Sequence, residues 1–293
     1  MGALFIQKSA KLASRQMSKS AITDHYGKGG MLLQTIVSSL EKAGFLENLS
    51  IDHLSPVDEF HIGGREATQD FLKQLDICKG HKVLDIGCGI GGPSRFVASH
   101  FDCNVIGVDL TPEFVSCGAE LNKMVGLSKK VKLLTGSALE LDSVLGKPNN
   151  CFDSAFMLHV GMNIEDKSLL MSEIANKLRP GGLLGIYDVM RCGENATDDL
   201  DFPVPWATSK ANSFVAKPEH YRRALDLAGM KVIAERNRFD FAVEFFSKIK
   251  ARKETPIVGL HLIMDDFPQK MGNMIKNLKM GRIAPVEMIA KKR

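Results

Sequence analysis

The chain has 293 residues, 44% of them hydrophobic and 25% charged, with a formal net charge of +4. That composition suits a globular protein with a full core, and no apolar run approaches the ~20 residues that a membrane helix needs. Five basic residues and one acid within 1–28 account for the whole charge (5 − 1 = +4), so the rest is neutral and presents no basic face for nucleic acid.

Residues 1–24 read as a flexible or targeting N-terminus. "MGALFIQKSAKLASRQMSKSA" has no acid, several basic residues and several serines. That is the composition of a mitochondrial transit peptide, and equally of a frayed terminus. The six cysteines are scattered without a C-x-x-C pair, which argues against zinc and for reduced thiols in the cytoplasm, with the mitochondrion as alternative. No metal site is expected.

Residues 25–79 are predicted to form a helical N-terminal cap. Apolar spacing places a helix over 31–48, ending near Gly44, and another over 66–77, with "SPVDEFHIGGREAT" (55–68) as a loop between them. From 80 to 293 one α/β domain is expected. Strands are predicted at 82–86, 104–108, 131–134, 152–157 and 182–187, with helices at 93–100, 112–125 and 166–178. That alternation argues for a parallel sheet with right-handed crossovers. A helix at 218–228 and a strand at 230–236 follow, then a helical stretch over 240–279 and a last strand in "RIAPVEMIAKK". "MKVIAER" and "IAPVEMIA" can pair as an antiparallel edge. Insertions near 190–217 and 240–279 are expected to sit above the sheet. The loops after residues 86, 109, 135, 157 and 187 should then meet at one site beyond the carboxyl ends of the strands.

"VLDIGCGIGGPSRF" (83–96) is a strand, a glycine turn and a helix start. Gly87, Gly89 and Gly92 satisfy G-x-G-x-x-G, and Gly87, Gly89 and Gly91 satisfy G-x-G-x-G. Asp109 ends the next strand and can accept from ribose hydroxyls. These residues point to a nucleoside ligand and leave its identity open. Asp85 separates two candidates. A carboxylate at the mouth of the strand repels a dinucleotide pyrophosphate and attracts an ammonium group, directly or through water. The plainer alternative is that Asp85 caps the turn.

In order and spacing, "VLDIGCGIGG", "VIGVD", "TGSALEL", "FDSAFMLHV" and "LRPGGLLGIYDV" resemble the motifs of class I S-adenosylmethionine-dependent methyltransferases. The resemblance implies a Rossmann-like seven-stranded sheet whose last pair is antiparallel, with S-adenosylmethionine as cofactor. It also implies that Asp85, Gly87, Gly89 and Gly91 line the methionine end. Asp109 would take the ribose and Leu110 the adenine face. Ser137 and Ala138 would flank the adenine edge, with serine where many members have aspartate. The Leu158 carbonyl would meet the methionine ammonium.

"DHYGKGG", "DEFHIGGREAT", "LHVGMNI" and "FPVPWA" look like acceptor-pocket segments of small-molecule methyltransferases. They are most similar to those of sarcosine/dimethylglycine N-methyltransferase-like proteins and, more distantly, phosphoethanolamine methyltransferases. The likeness makes His159 and Tyr26 the catalytic candidates, with His159 titrating near neutrality as base or positioner. His61, Arg65, Asn163 and Trp206 are the substrate-binding candidates. Arg65 suits a carboxylate and Trp206 a methylammonium. Each has a plainer alternative in packing or loop hydrogen bonding. A nitrogen acceptor such as sarcosine or dimethylglycine is favoured. C- or O-methylation of a quinone-, tocopherol- or sterol-like ring is the alternative, and a greasy pocket without a carboxylate anchor would support it. An NAD(P)-dependent oxidoreductase and a non-catalytic binder of the same fold stand further off. The expected partner is a small-molecule acceptor, with a homodimer as one assembly and neither nucleic acid nor a membrane span.

Overall fold

The computed structural model describes residues 31–147, 149–251, 254 and 256–293. Tyr26 and the N-terminal segment lie outside the described residues. Among the described residues three helices come first: α1 (Leu32–Lys42), α2 (Ile51–Asp58) and α3 (Gly64–Leu72). Then β1 (Lys82–Ile86), α4 (Gly92–His100), β2 (Asn104–Asp109), α5 (Pro112–Met124) and β3 (Val131–Thr135) alternate. They are followed by α6 (Leu141–Leu145), β4 (Phe152–Leu158), α7 (Lys167–Lys177) and β5 (Leu178–Met190). After an irregular stretch come α8 (Pro218–Leu227), β6 (Met230–Asn237), α9 (Phe239–Lys250), α10 (Phe267–Lys279) and β7 (Ala284–Lys292).

The seven strands form one sheet in the order β3-β2-β1-β4-β5-β7-β6. β1 to β5 are parallel, and β7 runs antiparallel to both β5 and β6. This is the α/β methyltransferase sheet expected from the motifs. Central strands covered on both faces read as near-continuous apolar runs rather than alternation, as "AFML" (155–158) does and as "VLDI" (83–86) does apart from Asp85. On one face Leu84, Ile86, Met157 and Ile186 meet Leu170 and Ile174 of α7 and Tyr221 and Leu225 of α8. On the other, Val83, Phe156 and Tyr187 meet Phe71 and Leu72 of α3 and Phe96 and Val97 of α4. The strand order reverses between β1 and β4, which opens the ligand crevice of such sheets.

The cap differs from the sequence expectation. The stretch read as a loop over 55–68 is mostly helical: α2 covers Ile51–Asp58 and α3 begins at Gly64. Pro56 lies inside α2 and cannot donate to the Asp52 carbonyl. The Ser55 hydroxyl donates to that carbonyl instead, at 2.9 Å. The first helix stops at Lys42, just ahead of Gly44 at φ +74°, close to the end expected near Gly44. β5 is longer than predicted and includes "LRPGG". The helical stretch over 240–279 is two helices, α9 and α10, with a short 3-10 turn at Leu260–Leu262 between them. The segment 190–217 packs above the sheet: Leu200, Val204 and Trp206 share a core with Ala242 and Phe246 of α9 and Met274 and Leu278 of α10. Among the described residues, no helix is long and apolar enough to cross a membrane.

Candidate functional site

β1 runs straight into the turn 87–91, where Gly87, Gly89 and Gly91 take φ of +70°, +53° and +86°. Side chains are strained there and glycine is not. The turn leaves backbone facing a cavity of about 1100 Å³ over the carboxyl ends of the strands. Pockets for one drug-sized ligand run roughly 300–1,000 Å³, so this space lies just above the top of that range.

The near half of the cavity is walled by Gly87, Gly89, Asp109, Leu110, Ser137, Ala138 and Leu158. Asp109 accepts from the Gly89 amide at 2.9 Å and from the Thr111 amide at 2.8 Å. Burial holds its carboxyl above the usual range, against those two bonds. A carboxylate has about four acceptor positions, so two amides leave room for a diol. Ser137 is buried and accepts from the Leu139 amide at 3.2 Å. Leu110, Phe114, Ala138 and Leu139 add apolar side chains to the same lining. An acid for hydroxyls beside an apolar slot fits a nucleoside.

Two predicted residues stand back from the cavity. Gly91 is the N-cap of α4 and does not line it. Asp85 is buried beneath the turn, where the Ser94 hydroxyl donates to it at 2.7 Å. Burial pushes the Asp85 carboxyl up to about 7 against the Ser94 bond, with Asp109 and Glu59 adding to the rise. A charge there acts on a ligand through an intervening group rather than by direct contact.

The waist of the cavity holds Glu59, His61, Arg65 and His159. Arg65 Nε donates to Glu59 Oε1 at 2.6 Å, and Thr68 Oγ1 donates to Glu59 Oε2 at 2.7 Å. Burial and the neighbouring Asp58 push Glu59 up to about 7. His61 Nε2 lies 3.1 Å from the Gly64 carbonyl, which can only accept, so that nitrogen carries the proton. Burial pushes His61 down to about 4, and it is neutral at pH 7. His159 follows β4 at φ +56°, with its amide bonded to the Tyr187 carbonyl at 2.7 Å. Burial, with His61 adding, holds its imidazole well below the ordinary value. The expected titration near neutrality is therefore corrected: His159 is a neutral hydrogen-bonding group. Its Nε2 is buried without a partner among the described residues.

Sequence reasoning missed the buried charges beneath this waist. Arg95, on α4, is fully buried and pairs with Asp58 of α2 at 2.8 Å, while Asn122 accepts from its other nitrogen at 2.8 Å. A side chain on Gly92 would meet the Asp58 carbonyl at 2.3 Å, so the cap lies directly on the first turn of α4. A charged residue on the inward face of "GPSRFVASH" was the available signal.

The segment around Trp206 and the helices α9 and α10 give the cavity a largely apolar stretch of wall. Met162, Trp206, Phe246, Met271 and Met274 line it, together with the polar side chains of Asn163 and the buried Lys270. Trp206 is buried, and its indole donates to Ser213 Oγ at 3.0 Å. The structure thus brings His61, Arg65, His159, Asn163 and Trp206 to one chamber. Arg65 reaches it already engaged by Glu59.

Residues 84–186 match the family described as methyltransferase domain. Phosphoethanolamine N-methyltransferase 3 of Arabidopsis thaliana is 33% identical over 138 residues, 47% of this chain and 27% of that protein. A sterol 24-C-methyltransferase of Aspergillus fumigatus is 25% identical over 176 residues, 60% of this chain and 44% of that one. The chain thus spans less than half the length of these curated relatives. A sarcosine dimethylglycine methyltransferase fold from Galdieria sulphuraria superposes with a TM-score of 0.60 at 22% identity, covering 78% of this chain and 84% of the other.

Proposed function

We propose that this chain, whose residues 84–186 belong to the methyltransferase-domain family, transfers the methyl group of S-adenosylmethionine to a small and largely apolar acceptor. The cavity carries the reading: Asp109 and the glycine turn share it with Trp206, Phe246 and several methionines. S-adenosylmethionine, when bound, supplies a sulfonium methyl already activated for in-line displacement. Asp109 receives the ribose hydroxyls, Leu110 and Ala138 enclose the adenine, and the Leu158 carbonyl and Gly87–Gly89 backbone face the methionine end. Asp85, from behind the turn, lends the pocket negative charge that favours a cationic ligand over a pyrophosphate and so disfavours the oxidoreductase alternative.

What remains for the protein is alignment, which alone can be worth ~7–11 kcal/mol. His159, held neutral at the waist, accepts a hydrogen bond from the acceptor's hydroxyl or amine and aims it. His61 and Glu59 support it from the cap side. Methionine, phenylalanine and tryptophan around the chamber exclude water and favour a ring or hydrocarbon over a free amino acid. That lining favours the quinone-, tocopherol- or sterol-like acceptor. An amine acceptor, favoured by the sequence, keeps one supporting observation: the buried Glu59 carboxyl at the waist offers a counter-charge for an ammonium.

Calorimetry with S-adenosylhomocysteine and NADH, then labelled methyl transfer to sterols, prenyl alcohols, quinols, sarcosine, dimethylglycine and phosphoethanolamine, tests the reading. Homocysteine-nucleoside binding without NADH binding, and label on an apolar acceptor, are expected. Label on sarcosine or phosphoethanolamine alone would overturn the apolar acceptor while keeping the donor. NADH binding alone would overturn both. For location, the basic composition of residues 1–24 supports the mitochondrion beside the cytoplasm, and a reporter fused after residue 30 distinguishes them.

A further inference from the structure

Two walls of the chamber come from different parts of the chain, and one buried side chain bonds to both. The first wall is the turn Gly161–Asn163 that follows His159. The second is the segment 204–214 bearing Trp206. Lys167, the first residue of α7, is 7% exposed. Its Nζ donates to the Ile164 carbonyl at the end of the first wall and to the Phe214 carbonyl of the second, the latter at 2.9 Å. Phe214 returns its amide to the Met162 carbonyl at 2.8 Å. Ser213 beside it takes the Trp206 indole N–H.

The base of this arrangement is equally specific. Lys167 Nζ sits 5.4 Å from the centre of the Tyr221 ring. The Tyr221 hydroxyl donates to Asp188 Oδ2 at 2.7 Å, and Asp188 Oδ1 accepts from the Val189 amide at 2.9 Å. Asp188 is fully buried. Gly161 has no side chain because none fits: a Cβ would lie 2.4 Å from Asp188 Oδ2 and 2.5 Å from the Tyr221 hydroxyl. On the other side of the same turn, Val160 presses against Gly87, where a Cβ would meet its Cγ2 at 2.3 Å. The strip 159–163 is therefore wedged between the glycine loop and the Asp188–Tyr221 pair.

We infer that Lys167 is a positioning residue: through the Ile164 and Phe214 carbonyls it clamps the His159–Asn163 strip to the Trp206 segment and so fixes the width of the acceptor chamber. It touches neither ligand. A lysine at this depth is costly unless its donors are satisfied, and it spends them on the two carbonyls that join the walls. The inference rests on the acceptor reading only for its activity arm.

The test uses Trp206, the single tryptophan of the chain, as reporter. Lys167→Met keeps the length and the contact with the Tyr221 ring and removes the donors. In that variant, acrylamide quenching of Trp206 is expected to rise at least twofold and its emission to shift to the red. S-adenosylhomocysteine affinity should stay within about twofold of the parent. Lys167→Arg, which keeps donors, should restore parent-like quenching. Once an acceptor is in hand, kcat/KM for it should fall tenfold or more in Lys167→Met at unchanged donor KM. Parent-like quenching in folded Lys167→Met would overturn the clamp, and so would donor affinity falling in step with activity. If Lys167→Met does not fold, Lys167→Leu, which also lacks a donor, carries the same quenching test. Failure of the acceptor screen leaves the quenching arm intact, so the two readings fail separately.

Discussion

Asp109 and His159 line the same cavity from different strand ends, and substitutions there should separate binding from turnover. Asp109→Ala removes the acid beside the nucleoside slot and frees the Gly89 and Thr111 amides. Hydrogen bonds to charged groups are worth ~1.5–3 kcal/mol, so S-adenosylhomocysteine affinity should fall at least tenfold by calorimetry. His159→Ala should leave that affinity within twofold while turnover falls ten- to a hundredfold, in labelled methyl transfer with the acceptor the screen yields. Equal turnover would remove His159 from the mechanism. The glycines, Asp109 and His159 were legible because each is fixed by a motif adjoining a strand end. Glu59, Thr68 and Arg95 were not. Their importance comes from contacts across long stretches of chain, such as Arg95 with Asp58 and Asn122, and spacing along one sequence does not encode such contacts.

At the scale of elements, the cap and the glycine-loop helix are joined by one fully buried ion pair, Arg95–Asp58. Removing one partner of such a pair leaves an uncompensated charge and costs ~3–5 kcal/mol. Arg95→Met should therefore lower stability by about that amount in urea unfolding, although the helix itself tolerates methionine. Gly92→Ala should act at the same seam by driving a methyl into the Asp58 carbonyl. The parallel strands and their crossover helices were readable to within a residue or two, since apolar runs and amphipathic periods are local signals. α2 was not, because Pro56 and two glycines mark a loop by composition. The compensation by the Ser55 hydroxyl that lets the helix pass through proline is a three-dimensional fact.

At the scale of the whole molecule, buried acids give the protein a distinctive pH dependence. Asp85 ionises near 7 in the fold against an ordinary value of 3.8, and burial is the main cause. Between those values the native state binds more protons than the unfolded chain, so this group's contribution to stability falls as pH rises through the window. Asp85→Asn keeps an acceptor for Ser94 and carries no charge. It should be more stable than the parent at pH 8, with the difference shrinking toward pH 4, measured as Tm across the series. A constant offset would show that Asp85 does not titrate in that window. The same logic gives the donor pocket a reason to prefer a cation at neutral pH, since a positive ligand lowers the cost of the ionised acid beneath the turn.

The position of β7 has a consequence for biogenesis. β7 lies between β5 and β6 and pairs with both, yet its residues, 284–292, emerge after α9 and α10. Until then β6 has no neighbour to dock on, and β5 exposes an open edge beside the nascent pocket. Translation therefore delivers the nucleoside-binding half of the sheet first and closes it last with an antiparallel wedge. Ribosome-bound chains stalled before residue 284 should present that edge to chaperones, and chains carrying residue 292 clear of the exit tunnel should not.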